Sequence, residues 1–446
     1  MILVGELALW VALLMAAWGA TAGFAGAVLG RDDLVRSGRR ATYATFAFVL
    51  LATLGLWSAL LASDFSFRYV ASHSSAILPT IYKITALWAG QPGSLLFWAL
   101  ILTCCSGLVS LIGERGTRAL MPYISGTLSA VALFVLLVLC VGENPFARVD
   151  VVPVDGRGMN PERQHPAMAV QPPALYLGLA AAAIPFAYVI AALIARRFDA
   201  VWLRAVRRWS ALAWFFLTIG IVAGLWWAYA ERGSGGDWVW DPVRNGSLLP
   251  WLTSTAFLHS IVVEERQGTF RWWNVALVVT TFLLAILVVA SAHPFAESPV
   301  GYWLTALLLV GTALTAWLVM ARRDDLRGRA TLERLVSREA SLLLNNLILV
   351  VLAFSVLWAT LIPLLSEAVR GERLTVGLPF FNVVIVPVGL LLLALAGIGP
   401  LIAWGRGSLD SLGRQLVGPV IVGLVALSLL VASGMRDPYP LLAFTL

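Results

Sequence analysis

A soluble chain of 446 residues would divide into about three domains, but 60% of these residues are apolar, only 12% are charged, and the mean hydropathy is +0.87. So few charges cannot cover a water-soluble particle of this size, which excludes the soluble classes and leaves a polytopic membrane protein. The 31 Lys and Arg exceed the 24 Asp and Glu by a net +7, a balance that suits nucleic acid in a soluble protein but marks orientation in a membrane protein.

A membrane-spanning helix needs about 20 mostly apolar residues. Twelve segments meet that need in chain order: 7–29, 41–63, 94–113, 119–142, 173–195, 208–229, 248–263, 273–291, 301–321, 340–366, 380–404 and 415–433. The expected fold is all-α, a single membrane domain over 1–446 with about 12 transmembrane helices. The first segment has no small-residue cleavage site after it and reads as a retained span, not a signal peptide. The seventh opens at Leu248-Leu249-Pro250-Trp251 and is expected to start inside the membrane, from a loop dipping into it.

Loops near 30–40, 114–118, 196–207, 264–272, 322–339 and 405–414 hold 21 of the 31 basic residues, Arg208 being grouped with the third. The positive-inside rule puts these in the cytoplasm and both termini on the outer, periplasmic side. The long loops 64–93, 143–172 and the tryptophan-rich 230–251, with the short 292–300, then face outward. The short basic loops contain no G-x-x-x-x-G-K-S/T phosphate loop, so ATP-driven work is not expected. Any chemistry belongs to the outer face.

With these boundaries no Asp, Glu, Lys or Arg lies inside a span, which disfavours an ion-coupled carrier, since coupling needs a charge at mid-depth. Cys104, Cys105 and Cys140 form no C-x-x-C pair and read as buried apolar residues. Asn345 and Asn346 are expected to bond between helices. His259, among Thr, Ala, Phe and Leu, needs a partner: it is either hydrogen-bonded packing or an axial ligand to a buried haem, and both readings stand.

Residues 226–251 hold five of the 19 tryptophans: Trp226, Trp227, Trp238, Trp240 and Trp251. An interfacial aromatic belt would also gather tryptophans, but a belt needs no Gly235-Gly236 pair, no Asp241-Pro242 turn and no Asn245-x-Ser247. Rings joined by tight turns make a flat platform able to stack on a planar macrocycle. His293 directly follows the eighth span, where an axial ligand to a haem on that platform would sit. His165, before the fifth span, is a weaker candidate, and His73 reads as an exposed loop residue. No pair has zinc-site spacing.

Gly235-Gly236, Trp238-x-Trp240-Asp241-Pro242-Val243-x-Asn245-x-Ser247 resembles the "WWD" signature of haem-handling membrane proteins. The likeness continues through Asp64 to Trp88, Gly93-Ser94, Asn160-Pro161, Pro172-Pro173-x-Leu175-Tyr176-x-Gly178, Ser337-Arg338-Glu339, Asn345-Asn346 and Pro379-x-Phe381-Asn382. On these motifs the chain resembles the CcmF/CycK/NrfE haem lyase family of cytochrome c-type biogenesis proteins, from residue 1 to about 415.

The resemblance implies a task in the bacterial inner membrane: to receive haem from a periplasmic chaperone and take part, with other maturation proteins, in its covalent attachment to apocytochrome c at C-x-x-C-H sites. It implies an outer histidine pair for the delivered haem, beneath Trp238, Trp240, Asp241, Pro242, Asn245 and Ser247, with Trp226 and Trp227 anchoring the platform at the membrane surface. It also implies an inner pair for a resident b-type haem. His293 matches one outer ligand and His259 one inner ligand. The departures fall on the other two. Gln171 stands before Pro172-Pro173 where the family has histidine, and the second inner histidine lies in a later part of the family chain than Leu446 reaches. Ser234 and Asp237 replace tryptophans, Arg244 replaces an acid and could pair with a haem propionate, and Gln91-Pro92 replaces His-Glu. Three readings follow: the missing ligands come from His165 and a companion chain; His293 holds the outer haem alone; or the scaffold survives as a structural subunit without haem transfer. A small-molecule carrier is a remote fourth.

Overall fold

A computed structural model describes residues 2–113, 115–232, 242–291, 299–326, 338–370, 374, 376, 378–402 and 409–446. These are helical almost throughout, and the single β pairing among them is an antiparallel bridge between Phe67 and Arg148. Ten described helices are long and apolar enough to cross a membrane; two shorter apolar helices, Thr305–Ala321 and Val383–Ile398, match the ninth and eleventh expected spans. The protein is a multi-pass membrane protein. By contacts it divides into two compact units, Met1–Trp238 with Val278–Asp325, and Val239–Leu277 with Leu326–Leu446.

The first unit begins with α1 (Ile2–Leu29) and α2 (Asp32–Leu61), joined at Gly30, whose φ of +66° falls in the left-handed region that glycine adopts without a Cβ penalty. The short helices α3 (Arg68–His73) and α4 (Thr80–Thr85) follow, then α5 (Gln91–Ile112) and α6 (Met121–Leu137). Next come α7 (Ala167–Ala181) and α8 (Ala183–Ala195), one membrane-length segment broken at Ala182. Pro185 explains the break: it has no N–H for the carbonyl of Ala181 and its ring crowds that turn. Helix α9 (Ala200–Arg232) lies against α7. The two approach closely because both contact faces are glycine: a Cβ at Gly178 would stand 2.7 Å from the Leu217 nitrogen, and one at Gly220 would stand 2.9 Å from the Leu175 Cα. Small residues let helix backbones meet in lipid, where dispersion and not water exclusion drives packing.

Helix α10 (Pro242–Gln267) belongs to the second unit, α11 (Arg271–Ser291) runs from the second into the first, and α12 (Pro299–Ala321) lies in the first. After the one-turn α13 (Arg323–Leu326), the second unit is completed by α14 (Arg338–Arg370), α15 (Leu378–Ile398), α16 (Leu409–Ala432) and a terminal α17 (Pro438–Thr445) that no expected segment covers.

Four expectations are corrected. The seventh span does not start from a dipping loop at 248: α10 begins at Pro242, with Pro250 inside it, so the tryptophan-rich loop ends before Pro242 and Asn245, Ser247 and Trp251 are helical. Proline suits a first helical turn, where its missing N–H would go unbonded anyway. Nor are the membrane helices free of acids. Helix α10 runs on through Glu264, only 4% exposed, which accepts bonds from Asn274 Nδ2 at 2.6 Å and Arg271 Nε at 3.4 Å. These donors satisfy the carboxylate that burial would otherwise penalise. Glu6 lies in α1 and accepts from Asn144 Nδ2 at 3.2 Å.

The outer-loop expectations also shift, because loops 64–93 and 143–172 fold on one another. Arg68 and Val149 donate backbone N–H groups to Ala147 and Ser66, Arg157 donates to Ala71, and Ala76 N–H reaches Asp155 Oδ1 at 2.8 Å. His73 is not an exposed loop residue. It ends α3 half-buried, its ring stacked on Tyr69 at 4.5 Å and its Nδ1 2.9 Å from the Tyr69 carbonyl. Gly90 makes this possible, since any Cβ there would collide with the His73 ring. Burial pushes the His73 imidazole below its ordinary pKa.

Candidate functional site

Of the candidate residues, the structure gathers two groups. In the first unit these are His165, Gln171, Trp226 and Trp227. Gln171 lies on α7 beside Gly224 of α9, where a Cβ would be 3.6 Å from Gln171 Cγ. Trp226, 49% exposed on α9, meets the His165 ring edge-on at a centroid distance of 5.5 Å, while Trp227 is half-buried. The apolar ring and the two polar side chains thus share the end of one helix pair, held together by the Gly178 and Gly220 crossing.

The His165 ring is oriented by a backbone bond. Its Nδ1 accepts the Ala167 backbone N–H at 3.1 Å at the start of α7, so in the neutral ring the proton sits on Nε2. An imidazole bound this way caps a helix and offers an N–H donor; it has no lone pair left for iron. The expectation that His165 supplies the missing outer ligand therefore meets a physical obstacle in this arrangement.

The supporting residues around His165 were not singled out from the sequence. Trp88 Nε1 donates to the Met168 carbonyl at 2.9 Å, Tyr82 Oη to the Gln164 carbonyl at 3.0 Å, and the Arg163 guanidinium to the Ala89 carbonyl. Trp88 packs on Phe97 at 4.9 Å, and Phe97 meets Tyr176 of α7 at 6.2 Å. The loop 64–93 thereby fixes the stretch of chain carrying His165. The signal available was the family likeness running from Asp64 to Trp88, which includes Tyr82 and Trp88 but does not say what they bond.

In the second unit, α10 and α14 run antiparallel and are joined by three side-chain bonds. Asn245 Nδ2 lies 3.4 Å from Thr360 Oγ1, Asn345 Nδ2 lies 3.0 Å from His259 Nδ1, and Gln267 Nε2 lies 3.2 Å from Glu339 Oε1. His259 occupies the middle rung. The expected interhelical bonding is realised for Asn345, but Asn346, 1% exposed, has neither amide atom bonded among the described residues, and Ser260 Oγ and Asn345 Oδ1 are likewise buried without partners. No described side chain bonds His259 Nε2. Asn245 and Ser247, 2% and 6% exposed, are packed inside the helical unit and do not stand on an outer loop.

The donor set fits one axial position of a buried haem: a half-buried imidazole, one nitrogen tethered, the other unclaimed, among apolar side chains. A half-turn of the Asn345 amide puts its unpartnered Oδ1 on a protonated Nδ1 and leaves the Nε2 lone pair for iron. Trp238, Trp240, Asp241 and His293 lie outside the described residues, as do the side chains of Pro242 and Arg244. Among the described residues no group of three or more His, Cys, Asp or Glu side chains could hold a bare metal ion.

The described residues define a multi-pass helical membrane protein in which one imidazole is bonded between two of the membrane helices. The family described as cytochrome C assembly protein matches residues 88–293. The chain is 40% identical over 442 residues to the cytochrome c-type biogenesis protein CcmF of Pseudomonas aeruginosa, covering 96% of this chain and 66% of that one. It is 36% identical over 402 residues to the probable cytochrome c-type biogenesis protein NrfE of Escherichia coli, covering 87% of this chain and 72% of that one. Among solved structures, the cytochrome c haem lyase CcmF superposes with a TM-score of 0.82 at 31% identity, over 100% of this chain and 69% of that chain. The chain belongs to the CcmF/CycK/NrfE family of cytochrome c-type biogenesis proteins, and it spans about two thirds of the length of the relatives it matches.

Proposed function

We propose that this protein handles haem in cytochrome c maturation, receiving it at the outer face of the bacterial inner membrane and taking part in its covalent attachment to apocytochrome c. The observation that carries this reading is His259, tethered by Asn345 at 3.0 Å with its Nε2 unclaimed. Haem, as substrate, contributes two vinyl groups, and each thioether forms by addition of a cysteine S–H across one of them. The protein's own residues bind, orient and exclude water. His259 would hold the iron of an inner, b-type haem through Nε2, and Asn345 would set its tautomer. A companion chain would supply its second ligand. With both termini outward, Trp238, Trp240 and Asp241 form the outer platform and His293 ligates the delivered haem, while Trp226 and the His165 Nε2–H line its edge. A haem chaperone, apocytochrome c and further maturation proteins are the partners.

Titration of the purified protein with haemin, read in the Soret region, tests this. A shifted Soret band that is lost in His259→Ala supports the inner site, and one lost in His293→Ala the outer. No band at any haemin concentration overturns the proposal. Gln171 at the place of a ligand favours a second reading, a structural subunit without haem transfer, and that result would select it.

A further inference from the structure

We infer that the first unit carries a phosphate-binding site at the end opposite the outer loops, built to take a phosphate or phosphodiester anion. The inference is independent of the haem reading. A cavity of about 390 Å³ opens between α2, the C-terminal end of α5 and the start of α6. Three guanidinium-bearing residues line it, Arg36 and Arg39 from α2 and Arg118 just before α6, and the described residues that line it include no acid. Of the two acids in the first turn of α2, Asp33 is engaged by Arg31 at 2.6 Å, and none of the three lining arginines has an ion pair, with Asp32 or any other acid, among the described residues.

Two further features point to an anion. Helix α6 presents its N-terminus here through Met121 and Pro122, with no side-chain cap on its first turn. Its leading N–H groups are not open, since Met121 donates to the Arg118 carbonyl and Pro122 has none, but the positive end of the helix dipole favours negative charge. Ser110, 7% exposed, lines the same cavity with a buried hydroxyl that has no partner among the described residues. The carbonyl end of α5 also borders the cavity, but its partial charge of about −0.5 is well below three full positive charges.

Topology alone would ask only that basic residues lie on this side of the membrane. It would not bring three of them to one cavity with a buried hydroxyl and the positive end of a helix. A tetrahedral anion offers enough acceptor lone pairs for several guanidinium groups at once, and these bind it by paired N–H bonds. The volume exceeds that of phosphate alone and accommodates a lipid headgroup, the usual occupant of basic pockets between membrane helices on the cytoplasmic side.

The test uses the full chain, stripped of lipid in neutral detergent, with dioctanoyl phosphatidylglycerol, dioctanoyl phosphatidylcholine and sodium phosphate at matched ionic strength as probes. Readouts are the unfolding midpoint and native mass spectrometry. Phosphatidylglycerol raising the midpoint where phosphate does not identifies a headgroup as the ligand, and phosphate acting alone identifies the free anion; either supports the site. The R36Q/R39Q/R118Q variant should bind on the order of a hundredfold more weakly, about fivefold for each basic residue. S110A, which leaves the charge and the fold in place, should weaken binding severalfold, and R204Q, an exposed arginine on α9, should leave it unchanged. No midpoint shift with any probe overturns the proposal. So does an R204Q loss as large as that of the triple variant, or full affinity in S110A together with an unaltered triple variant.

Discussion

Replacing Asn345 by Ala removes the middle of three bonds between α10 and α14 and leaves His259 Nδ1 without its partner. If Asn345 were only packing, the loss would be that of one interhelical side-chain bond in a membrane, about 0.6 kcal/mol and at most about 1.7 kcal/mol. If it holds an axial ligand, haem affinity falls further, by about 10–100-fold, the usual cost of losing a group that orients a metal-bound histidine. Asn346→Ala is the control one residue away: both of its amide atoms are buried without partners, so removing them should be neutral or slightly stabilising. Haemin titration measures the affinity, and the unfolding midpoint without haem measures the packing. A third variant separates the roles. Asn345→Asp keeps an acceptor on Nδ1–H but adds charge, makes the imidazole a stronger donor, and should lower the midpoint potential of bound haem. Equal haem affinity in Asn345→Ala and Asn346→Ala, with an unmoved potential in Asn345→Asp, would refute the positioning role.

Gly220→Val should destabilise the first unit by about 1–3 kcal/mol, because its Cβ would stand 2.9 Å from the Leu175 backbone; Gly224→Ala, with 3.6 Å to Gln171, should be tolerated, and thermal unfolding compares them. Glu264→Ala leaves Asn274 and Arg271 without their buried acceptor and should cost about 3–5 kcal/mol, against about 1 kcal/mol for Glu264→Gln, which keeps an acceptor for Asn274. Burial lowers the His73 pKa below 6.5, so the unfolded chain binds more protons than the folded one once pH falls beneath that value. The stability held above pH 6.5 should thus decline as pH falls through the folded-state value. His73→Phe should flatten that decline in a pH series of unfolding midpoints.

The membrane helices were legible because apolar runs of spanning length have few other uses: ten of the twelve segments coincide with described helices able to cross a membrane, and the other two overlap shorter apolar helices. What stayed hidden lies where side-chain partners decide the outcome. Glu264 could not be placed inside α10 from its own charge, because its burial depends on Asn274 and Arg271 across a tight turn. His73 looked like loop, since the space for its ring is left by Gly90, seventeen positions on. The Asn345–His259 pair shows the favourable case. A polar residue within an apolar helix must find a partner, so each was recognised as needing one, yet nothing in the spacing of residues 259 and 345 says that they meet.

The outer site poses the harder question, because Gln171 occupies a ligand's place without leaving a gap. Its amide sits on Gly224, and His165, six positions earlier, is spent on the Ala167 N–H. Neither side chain offers iron a nitrogen lone pair as arranged, but both offer N–H donors, His165 against the Trp226 ring and Gln171 at Gly224. Donors next to an aromatic ring suit the carboxylate edge of a porphyrin better than its metal, since propionates accept charge-assisted bonds and need no vacant orbital. If haem binds at this end of α7 as proposed, Gln171 would hold its rim and not its iron, and Gln171→His should add an iron ligand. Low-spin bis-histidine spectra in that variant, against a high-spin or mixed spectrum in the parent, would bear this out, and identical spectra would not.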